Sequence, residues 1–534
     1  MLRFFPTLRR SKALFFGAIL AVLFLAGICA CTAPHIPDGT AVMLIEQQAR
    51  NLDPLFATDA VSQKINNLIH ASLVRFDARM RVEGELAASW KIRGYRDFRF
   101  KLRPNLKFQD GTPLTADDVV HALNEFKGSP LPLLKPAAAK RGSPHAIALA
   151  HVTKISAQGP LLVRLETDSP QPFLLNDFSL LKIFKRKGKE VIGAGRYRLT
   201  RETPIEIHVA ASDTYHEPIP KDSFREITFK YVSDDNTRYQ YLVRGDGNVV
   251  LSGISLTKTE YLRQHGPKRM QIIDSAGTNV SYICLNFKEP HLAQLKVRQA
   301  IAQAIDIPGL LKYRIGGFGY LSTGILAPAH ADYYESNVER YPFDRAKAER
   351  LLDEAGYPRT GPGGWRFALT FKTTTEKFGN EMARLLANEI RQVGIDIRLD
   401  VVEAGTFFAD INAGNFQLFH SRWIGVNSPA IYYRALHSSQ SHGALNRGSY
   451  SNAELDKLID KGMSEVDDRK RREDFSQVQK IAAHDLPYIS LWHWNNTFIG
   501  TKNMRNIVMY PNGDYRTLAD VRLLPEGKGA KANE

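Results

Sequence analysis

Apolar and polar residues follow two different periods along the chain, and each period predicts a different kind of element. Segments in which apolar residues recur every two positions predict strands; they are 41–46, 97–102, 395–402 and 487–493. Segments in which apolar residues recur at helical spacing predict helices; they are 60–71, 297–305, 344–355, 380–392, 457–462 and 469–484. Because the two kinds of segment alternate, the pattern predicts an α/β protein with mixed sheets.

Local capping signals support two of the predicted helix ends. Thr115 precedes Asp117 and Asp118, and acidic residues in a first helical turn interact favourably with the helix dipole. We therefore expect a helix that begins directly after Thr115. Gly356 follows the segment 344–355 and predicts that this helix ends there.

The first thirty residues have the pattern of an export signal. Four basic residues precede the segment Ala13–Ala30, which contains no charged side chain. A basic leader, an apolar segment and small residues near its end are typical of a signal peptide. The apolar segment is also long enough for a short membrane helix, so a retained anchor is the alternative.

The end of this segment indicates lipidation. Ile28-Cys29-Ala30-Cys31 resembles the lipobox of bacterial lipoproteins, which implies that Cys31 becomes the first mature residue and carries acyl chains. Buried acyl chains hold a protein at a membrane without a spanning helix. Thr32 follows instead of aspartate, which in a Gram-negative host indicates the outer membrane.

Composition narrows the possible functions. The chain has 534 residues, of which 43% are hydrophobic and 24% charged, and this length implies two or more lobes. The formal net charge of +15 does not indicate a nucleic-acid partner, because the chain has an export leader and no basic run interleaved with aromatic residues. Cys284 lies in an apolar run and is expected in the core.

Several stretches, in order, resemble one family. They include GELAASWKI at 84–92, FRFKLRPNLKFQDGTPLTADDVVHAL at 98–123, KVRQAIAQAID at 296–306, YPFDRAKAERLLDEAGYP at 341–358 and VGIDIRLDVVEAGTFFADINAGNFQLF at 393–419. With these the chain resembles the extracellular solute-binding proteins of family 5, which are the oligopeptide-, dipeptide- and nickel-binding receptors of ABC importers. The resemblance covers nearly the whole mature chain.

The resemblance implies a two-lobed periplasmic-binding-protein (Venus-flytrap) fold with a subdomain inserted in lobe I. The expected division is a signal peptide 1–30, a lipidated tether 31–40, lobe I 41–71, the inserted subdomain 72–192, lobe I 193–276, lobe II 277–496, and a return to lobe I with a flexible tail 497–534. The ligand would be held between the two lobes, which close about a hinge.

The resemblance also implies where the ligand binds. In peptide-binding members the ligand backbone pairs with exposed edges of both lobes. The residues at the two corresponding edges in this chain are Thr58, Asp59 and Ala60 on one side, and His420, Arg422, Trp423, Ile424, Gly425, Val426 and Asn427 on the other.

One position departs from the peptide-binding pattern. Those members have an aspartate three residues after the tryptophan, where it pairs with the ligand ammonium group, and in this chain the residue is Val426. Either Asp59 supplies the charge, or the ligand has no free amine. Murein fragments, opines, sugars and metal chelates then become alternatives, and Arg422 or His420 could bind a carboxylate. If the placement holds, Val426→Asp should improve the binding of free-amine peptides.

These observations predict a lipid-anchored, periplasmic receptor that delivers a peptide-like solute to ABC permease and ATPase subunits. We expect a monomer with no cofactor, no metal and no catalytic residue. An enzyme that uses the same cleft is an alternative, although the sequence has no GxSxG, HExxH or CxxC motif. A binding protein uncoupled from transport is the other alternative.

Overall fold

The computed structural model describes residues 36–128, 143–441 and 445–524. The predicted signal peptide, Cys31, Thr32 and the last ten residues of the predicted tail lie outside the described residues. In the three described segments, no helix combines the length and the apolar character that a membrane crossing requires.

The strands, in chain order, are β1 (Thr40–Ile45), β2 (Ala71–Ser72), β3 (Val74–Phe76), β4 (Val82–Gly84), β5 (Ala87–Arg93), β6 (Asp97–Leu102), β7 (Val152–Ala157), β8 (Leu162–Thr167), β9 (Lys182–Lys187), β10 (Glu190–Gly193), β11 (Tyr197–Glu202), β12 (Glu206–Ala211), β13 (Glu226–Tyr231), β14 (Val249–Leu251), β15 (Met270–Leu285), β16 (Gly319–Leu321), β17 (Phe367–Thr374), β18 (Ile395–Val402), β19 (Leu418–Trp423), β20 (Tyr488–Thr501), β21 (Met504–Arg505) and β22 (Arg522–Leu523).

The α-helices are α1 (Ala60–Ile69), α2 (Ala116–Gly128), α3 (Leu174–Asp177), α4 (Asp235–Arg244), α5 (Leu256–His265), α6 (Pro290–Ala293), α7 (Leu295–Ala304), α8 (Ile307–Leu310), α9 (Arg345–Glu354), α10 (Lys377–Arg391), α11 (Ala404–Ala413), α12 (Ile431–Leu436), α13 (Ala453–Ser464), α14 (Asp468–Asp485) and α15 (Arg516–Asp520). Short 3-10 helices occupy Pro144–Leu149, Pro362–Gly364 and Ser438–Gln440, and a π-helical turn occupies Leu311–Ile315.

One large mixed sheet runs through both halves of the molecule. Its strand order is β11-β12-β13-β1-β14-β20-β15-β19-β17-β18, and β16 pairs with β20. β1 pairs in parallel with β13 and β14, whereas β15 pairs antiparallel with β19 and β20. The mixture of parallel and antiparallel neighbours matches the predicted sheet type.

The pair β15–β20 connects the two halves of the sheet. Pairing runs from Met270 opposite Thr501 to Ala276 opposite Asn495, is interrupted, and resumes at Val280 opposite His493. The interruption is a bulge of the kind that bends a strand locally. It lies where the sequence predicts the change from lobe I to lobe II, and the predicted lobe boundaries themselves stay predictions.

A separate sheet forms within residues 72–192, where the inserted subdomain is predicted. Its strand order is β5-β6-β8-β7, and α2 packs against β7 and β8. The apolar side chains of these elements form one buried cluster, which includes Phe98, Phe100 and Phe126. This segment therefore has its own core.

The sheet of the second half is covered on both faces. Helices α7 and α10 bury one face around Ile301, Leu386 and Trp492. Helices α12, α13 and α14 bury the other face around Tyr282, Phe419 and Phe475. Amphipathic helices on both faces of a sheet give the layered α/β architecture.

Both helix ends predicted from capping signals are observed: α2 begins at Ala116, directly after Thr115, and α9 ends at Glu354, two residues before Gly356. The side chain of Asp344 accepts the N–H of Lys347 at the start of α9. Gly356 follows that helix with φ +89°, a conformation that glycine adopts without steric strain. Cys284 is fully buried, as expected for a core cysteine, and burial raises the pKa of its thiol.

The bulge between β15 and β20 requires glycine at position 277. A Cβ added to Gly277 would lie 2.4 Å from the carbonyl oxygen of Trp494, so a larger residue must push the two strands apart. We expect Gly277→Ala to lower the free energy of unfolding by about 1–3 kcal/mol, measured by urea denaturation.

Gly128→Ala is the matched control, because a Cβ added to Gly128 meets nothing within 4 Å. Its free energy of unfolding should equal that of the wild type or exceed it slightly, since alanine favours the helix. Equal stability of the two alanine variants would contradict the close packing at the bulge.

Candidate ligand-binding site

A cavity of about 320 Å³ lies between the two halves of the molecule. Residues from the segments predicted as lobe I, the inserted subdomain and lobe II all line it. The lining includes Thr58, Ala60, Lys64, Asn66, Asn67, Arg75, Glu85, His145, Lys182, Ile424, Gly425, Asn427, Asp514 and Arg516. Two of the three residues predicted at the first edge, and three of the seven predicted at the second, are among them.

The first predicted edge lies at the start of α1. Thr58 is exposed and lines the cavity, and Ala60 is the first residue of the helix. Asp59 lies between them but is the N-cap of α1: its carboxylate accepts the N–H of Ser62 at 2.9 Å and the Ser62 hydroxyl at 2.6 Å. Because Asp59 is engaged in capping and does not line the cavity, the structure gives it no ligand-facing role.

The second predicted edge is the turn that leaves β19. Its residues Ile424 and Gly425 are exposed and line the cavity together with Asn427. Gly425 has φ +71°, which favours glycine. The turn is fixed from behind, because the ring Nε2 of His330 lies 3.0 Å from the carbonyl oxygen of Val426.

Four other predicted residues do not line this cavity. Trp423 is 8% exposed and stacks on Tyr282 with ring centroids 5.6 Å apart, so it packs in the core. Arg422 is exposed and lies 4.7 Å from the ring centroid of Trp494. Burial, and then the charge of Arg422, lowers the pKa of His420 to about 3, so His420 is neutral and offers no cation to a carboxylate.

Val426, the fourth of these residues, does not face the ligand as the resemblance implies. It is 3% exposed and belongs to the apolar cluster beneath the turn, so its side chain does not face a ligand. An aspartate at this position would bury a carboxylate among apolar side chains, which strongly disfavours the charged form. The structure therefore reverses the expectation for Val426→Asp: we expect destabilisation, without improved binding.

Sequence reasoning missed the charged residues of the cavity. Four cationic side chains and two carboxylates line it: Lys64, Arg75, Lys182, Arg516, Glu85 and Asp514. Lys64, Arg75 and Glu85 come from one stretch of the chain, but Lys182 and the pair Asp514 and Arg516 come from distant segments, and no local motif links the three groups. One local signal for the polar lining was available in the sequence: Lys64 and Asn67 are three residues apart on α1, and residues at this spacing share a helix face.

Two of these side chains form a fixed pair. Asp514 accepts the Nε–H of Arg516 at 3.1 Å and the amide of Asn67 at 2.8 Å. Arg75 is also paired, since it lies 2.8 Å from Glu83 and 3.4 Å from Glu217. Both guanidinium groups are therefore held in position by carboxylates.

Lys64 and Lys182, the two lysines of the cavity, form no ion pair with a carboxylate of a described residue. Lys182 donates to the hydroxyl of Ser72 and the carbonyl oxygen of Ser179, and both acceptors are neutral. Burial lowers the pKa of Lys182 to about 8, although the nearby charge of Glu85 offsets part of this effect. Lys64 makes no hydrogen bond or ion pair with any described residue.

The segment predicted as the inserted subdomain also contacts the segment predicted as lobe II directly. The hydroxyl of Tyr95 donates to Asp468 at 2.7 Å and accepts from Arg471 at 3.1 Å. Phe173 joins the apolar cluster of the lobe II segment, 5.5 Å from the ring centroid of Phe475. The amide of Asn176 donates to the carbonyl oxygen of Asn427 at 3.3 Å, beside the cavity.

Comparison with known proteins shows the family to which a chain with this fold and cavity belongs. A family model described as "Bacterial extracellular solute-binding proteins, family 5 Middle" matches residues 81–444. The chain belongs to this family. The resemblance found in the sequence motifs is thereby confirmed, and the cavity lies between the lobes of a solute-binding protein.

Two curated relatives extend over nearly the whole chain. The oligopeptide-binding protein AppA of Bacillus subtilis (strain 168) is 27% identical over 546 residues, covering 95% of this chain and 98% of AppA. The glutathione-binding protein GsiB of Escherichia coli (strain K12) is 25% identical over 484 residues, covering 88% of this chain and 92% of GsiB. Both are named as binding proteins, in agreement with the predicted non-enzymatic class.

The fold is shared with a solved structure. The structure of AppA from Bacillus subtilis in complex with a nonapeptide superposes with a TM-score of 0.74 at 23% sequence identity, covering 92% of this solute-binding chain and 100% of that one. The prediction of a two-lobed α/β binding-protein fold is confirmed.

The contact of Tyr95 with the lobe II segment should favour the approach of the two halves. Tyr95→Phe removes both hydrogen bonds of the hydroxyl, each worth about 1 kcal/mol, and should shift the balance toward a more open form by at least about fivefold. We expect a larger radius of gyration by small-angle X-ray scattering of the ligand-free protein.

Tyr261→Phe serves as the control, because Tyr261 is 53% exposed and lies on α5, away from this contact. Its scattering curve should overlay that of the wild type. A radius of gyration unchanged in Tyr95→Phe would show that the hydroxyl does not hold the two halves together.

Proposed function

We propose that this protein is a lipid-anchored extracytoplasmic receptor of an ABC importer, which captures a peptide or peptide-like solute between its lobes. The observation that carries the proposal is the cavity to which both predicted edges contribute. Thr58 and Ala60 line it from one side, and Ile424, Gly425 and Asn427 from the other.

The backbone at both edges is available to a ligand. Among the described residues, the backbone groups of Thr58 and Ile424 have no hydrogen-bond partner. Unpaired N–H and C=O groups on both sides of a cleft allow an extended ligand backbone to add as a strand. This supports the expectation that the ligand has peptide-like amide groups.

The size of the cavity and the relatives agree with a small ligand. A volume of about 320 Å³ lies at the low end of the range for small-molecule pockets, which suits a short peptide-like compound. Two relatives are named for oligopeptide and for glutathione binding, and both ligands have peptide backbones.

The anchor and the transport partners complete the proposal. Cys31 would carry the acyl chains, and Thr32 favours attachment to the outer membrane of a Gram-negative host. The receptor would act as a monomer that delivers its ligand to ABC permease and ATPase subunits. It would bind the ligand without altering it.

Blocking the cleft provides a direct test. We expect native mass spectrometry of the protein purified from its host to detect a bound small compound. Thr58→Trp should abolish binding of this compound. The side chain of Thr58 is exposed and lines the cavity, so an indole at this position would occupy the space of the ligand.

Thr200→Trp is the control, since Thr200 is exposed on β11 and does not line the cavity. This variant should retain the compound. Retention of the compound by Thr58→Trp would place its binding site elsewhere and would overturn the proposal, as would chemical turnover of the compound by the wild type.

The anchor has its own test. In cell fractionation the wild-type protein should sediment with membranes, and Cys31→Ala should remain in the soluble periplasmic fraction because it cannot be acylated. Release should be nearly complete, because several acyl chains are needed for stable attachment. Membrane association of Cys31→Ala would instead indicate a retained leader helix.

A further inference from the structure

The charges that line the cleft are unequal in sign. Two carboxylates, Glu85 and Asp514, accompany four cationic side chains, and Asp514 is engaged by Arg516 and Asn67. Glu85 is 4% exposed and accepts the backbone N–H of Ser72 at 2.7 Å. Since Arg75 is compensated by Glu83 and Glu217 and Arg516 by Asp514, the lining cations without an ion pair to a described residue are Lys64 and Lys182, against the single carboxylate of Glu85.

Of the two lysines that have no ion pair with a described residue, Lys64 also makes no hydrogen bond there, whereas Lys182 donates to Ser72 and Ser179. Lys64 lies on α1, and its Nζ is 5.2 Å from the ring centroid of Tyr515. No carboxylate of a described residue lies within 4.0 Å of it, and it makes no hydrogen bond there. Burial lowers the pKa of Lys64, and the charges of Asp514 and Glu46 offset only part of the effect. A half-buried ammonium that has an aromatic ring beside it but no anion or hydrogen-bond acceptor is stabilised when a ligand supplies an anion.

Two further donors in the cavity lining lack partners among the described residues. Asn66 is 2% exposed, and neither its Oδ1 nor its Nδ2 has a hydrogen-bond partner in the described part of the chain. The Nη1 of Arg516 is likewise buried and unpartnered. Buried polar atoms are nearly always hydrogen-bonded in native proteins, and both residues line the cavity.

Within the described part of the chain, neither acid of the cleft is free for a cationic ligand group, since Asp514 is paired with Arg516 and Glu85 is buried and accepts the N–H of Ser72. Asp59 caps α1 and does not line the cavity. Val426 stands where peptide-binding members have aspartate, and it is buried in an apolar cluster. His145 lines the cavity, but burial lowers its pKa and its Nε2 lies 3.0 Å from the carbonyl oxygen of Ala57.

We propose that the ligand carries an anionic oxygen group, a carboxylate in a peptide-like compound, that binds at Lys64 with Asn66 and Arg516 as further donors. This inference rests on the proposed function and specifies its substrate class. Lys64 is the residue that selects for the negative charge. Arg516 contributes a hydrogen bond of fixed direction, because Asp514 and the carbonyl oxygen of Phe76 hold its guanidinium group, and the buried amide of Asn66 contributes a second hydrogen bond.

A series of blocked tripeptides tests the proposal. The series has three probes. N-acetyl-trialanine, the acid, has one negative charge; N-acetyl-trialanine amide is neutral; and trialanine amide, which has a free amine, is positive. We expect the acid to bind at least about tenfold more tightly than the neutral amide by isothermal titration calorimetry at pH 7. The positive amide should bind more weakly than either.

Variants of Lys64 connect the preference to this residue. Lys64→Met should lower the affinity for the acid by about tenfold and leave the affinity for the neutral amide unchanged. Lys64→Arg should restore most of the preference. Lys457→Met is the control for net charge, since Lys457 is exposed on α13 outside the cavity, and it should bind all three probes as the wild type does.

The outcomes separate this inference from the proposed function. Equal affinity for the acid and the neutral amide would overturn the proposal that the ligand is anionic, but the cleft would remain a peptide-binding site. A compound without an anionic group, identified by accurate mass in the wild-type protein from its host, would also overturn it. Binding of no probe together with no co-purifying compound would overturn both.

Discussion

The antiparallel pairing of β15 with β20 holds the two halves of the molecule in one sheet. Both strands are long, 16 and 14 residues, and each contributes backbone groups to both halves. Since their pairing is interrupted between Ala276 and Val280, bending can be concentrated at one place while the flanking ladders stay intact. The position of the cleft depends on this connection, because the segments that line it are attached on either side of the interruption.

Elements with strong local signals could be predicted from the sequence. The helix after Asp344 and the strand 395–402 have regular periods and clear ends, and the structure has both. β20 was predicted only as far as residue 493, although it extends to Thr501. Its second half contains Asn495 and Asn496, whose side chains are satisfied by loop carbonyl oxygens. Such tertiary hydrogen bonds leave no periodic trace in the sequence.

The candidate site was predictable only in part. Family motifs located its two edges, since backbone position follows from the order of the elements that the family shares. They did not predict which side chains face the cavity: Asp59 turns back to cap its own helix, and Val426 packs inward. The cationic residues Lys64, Lys182 and Arg516 meet only in the folded chain, so no spacing links the three, and the helical spacing of Lys64 with Asn67 was the one local signal.

The charged residues that line the cavity all come from the segments predicted as lobe I and the inserted subdomain, whereas the predicted lobe II segment contributes Ile424, Gly425 and Asn427. The two walls therefore act on a ligand by different forces. Ionic strength screens interactions between charges, so added salt would weaken the first encounter with the charged wall. The subsequent engagement of the uncharged wall, which depends on shape and backbone hydrogen bonds, would be nearly insensitive to it.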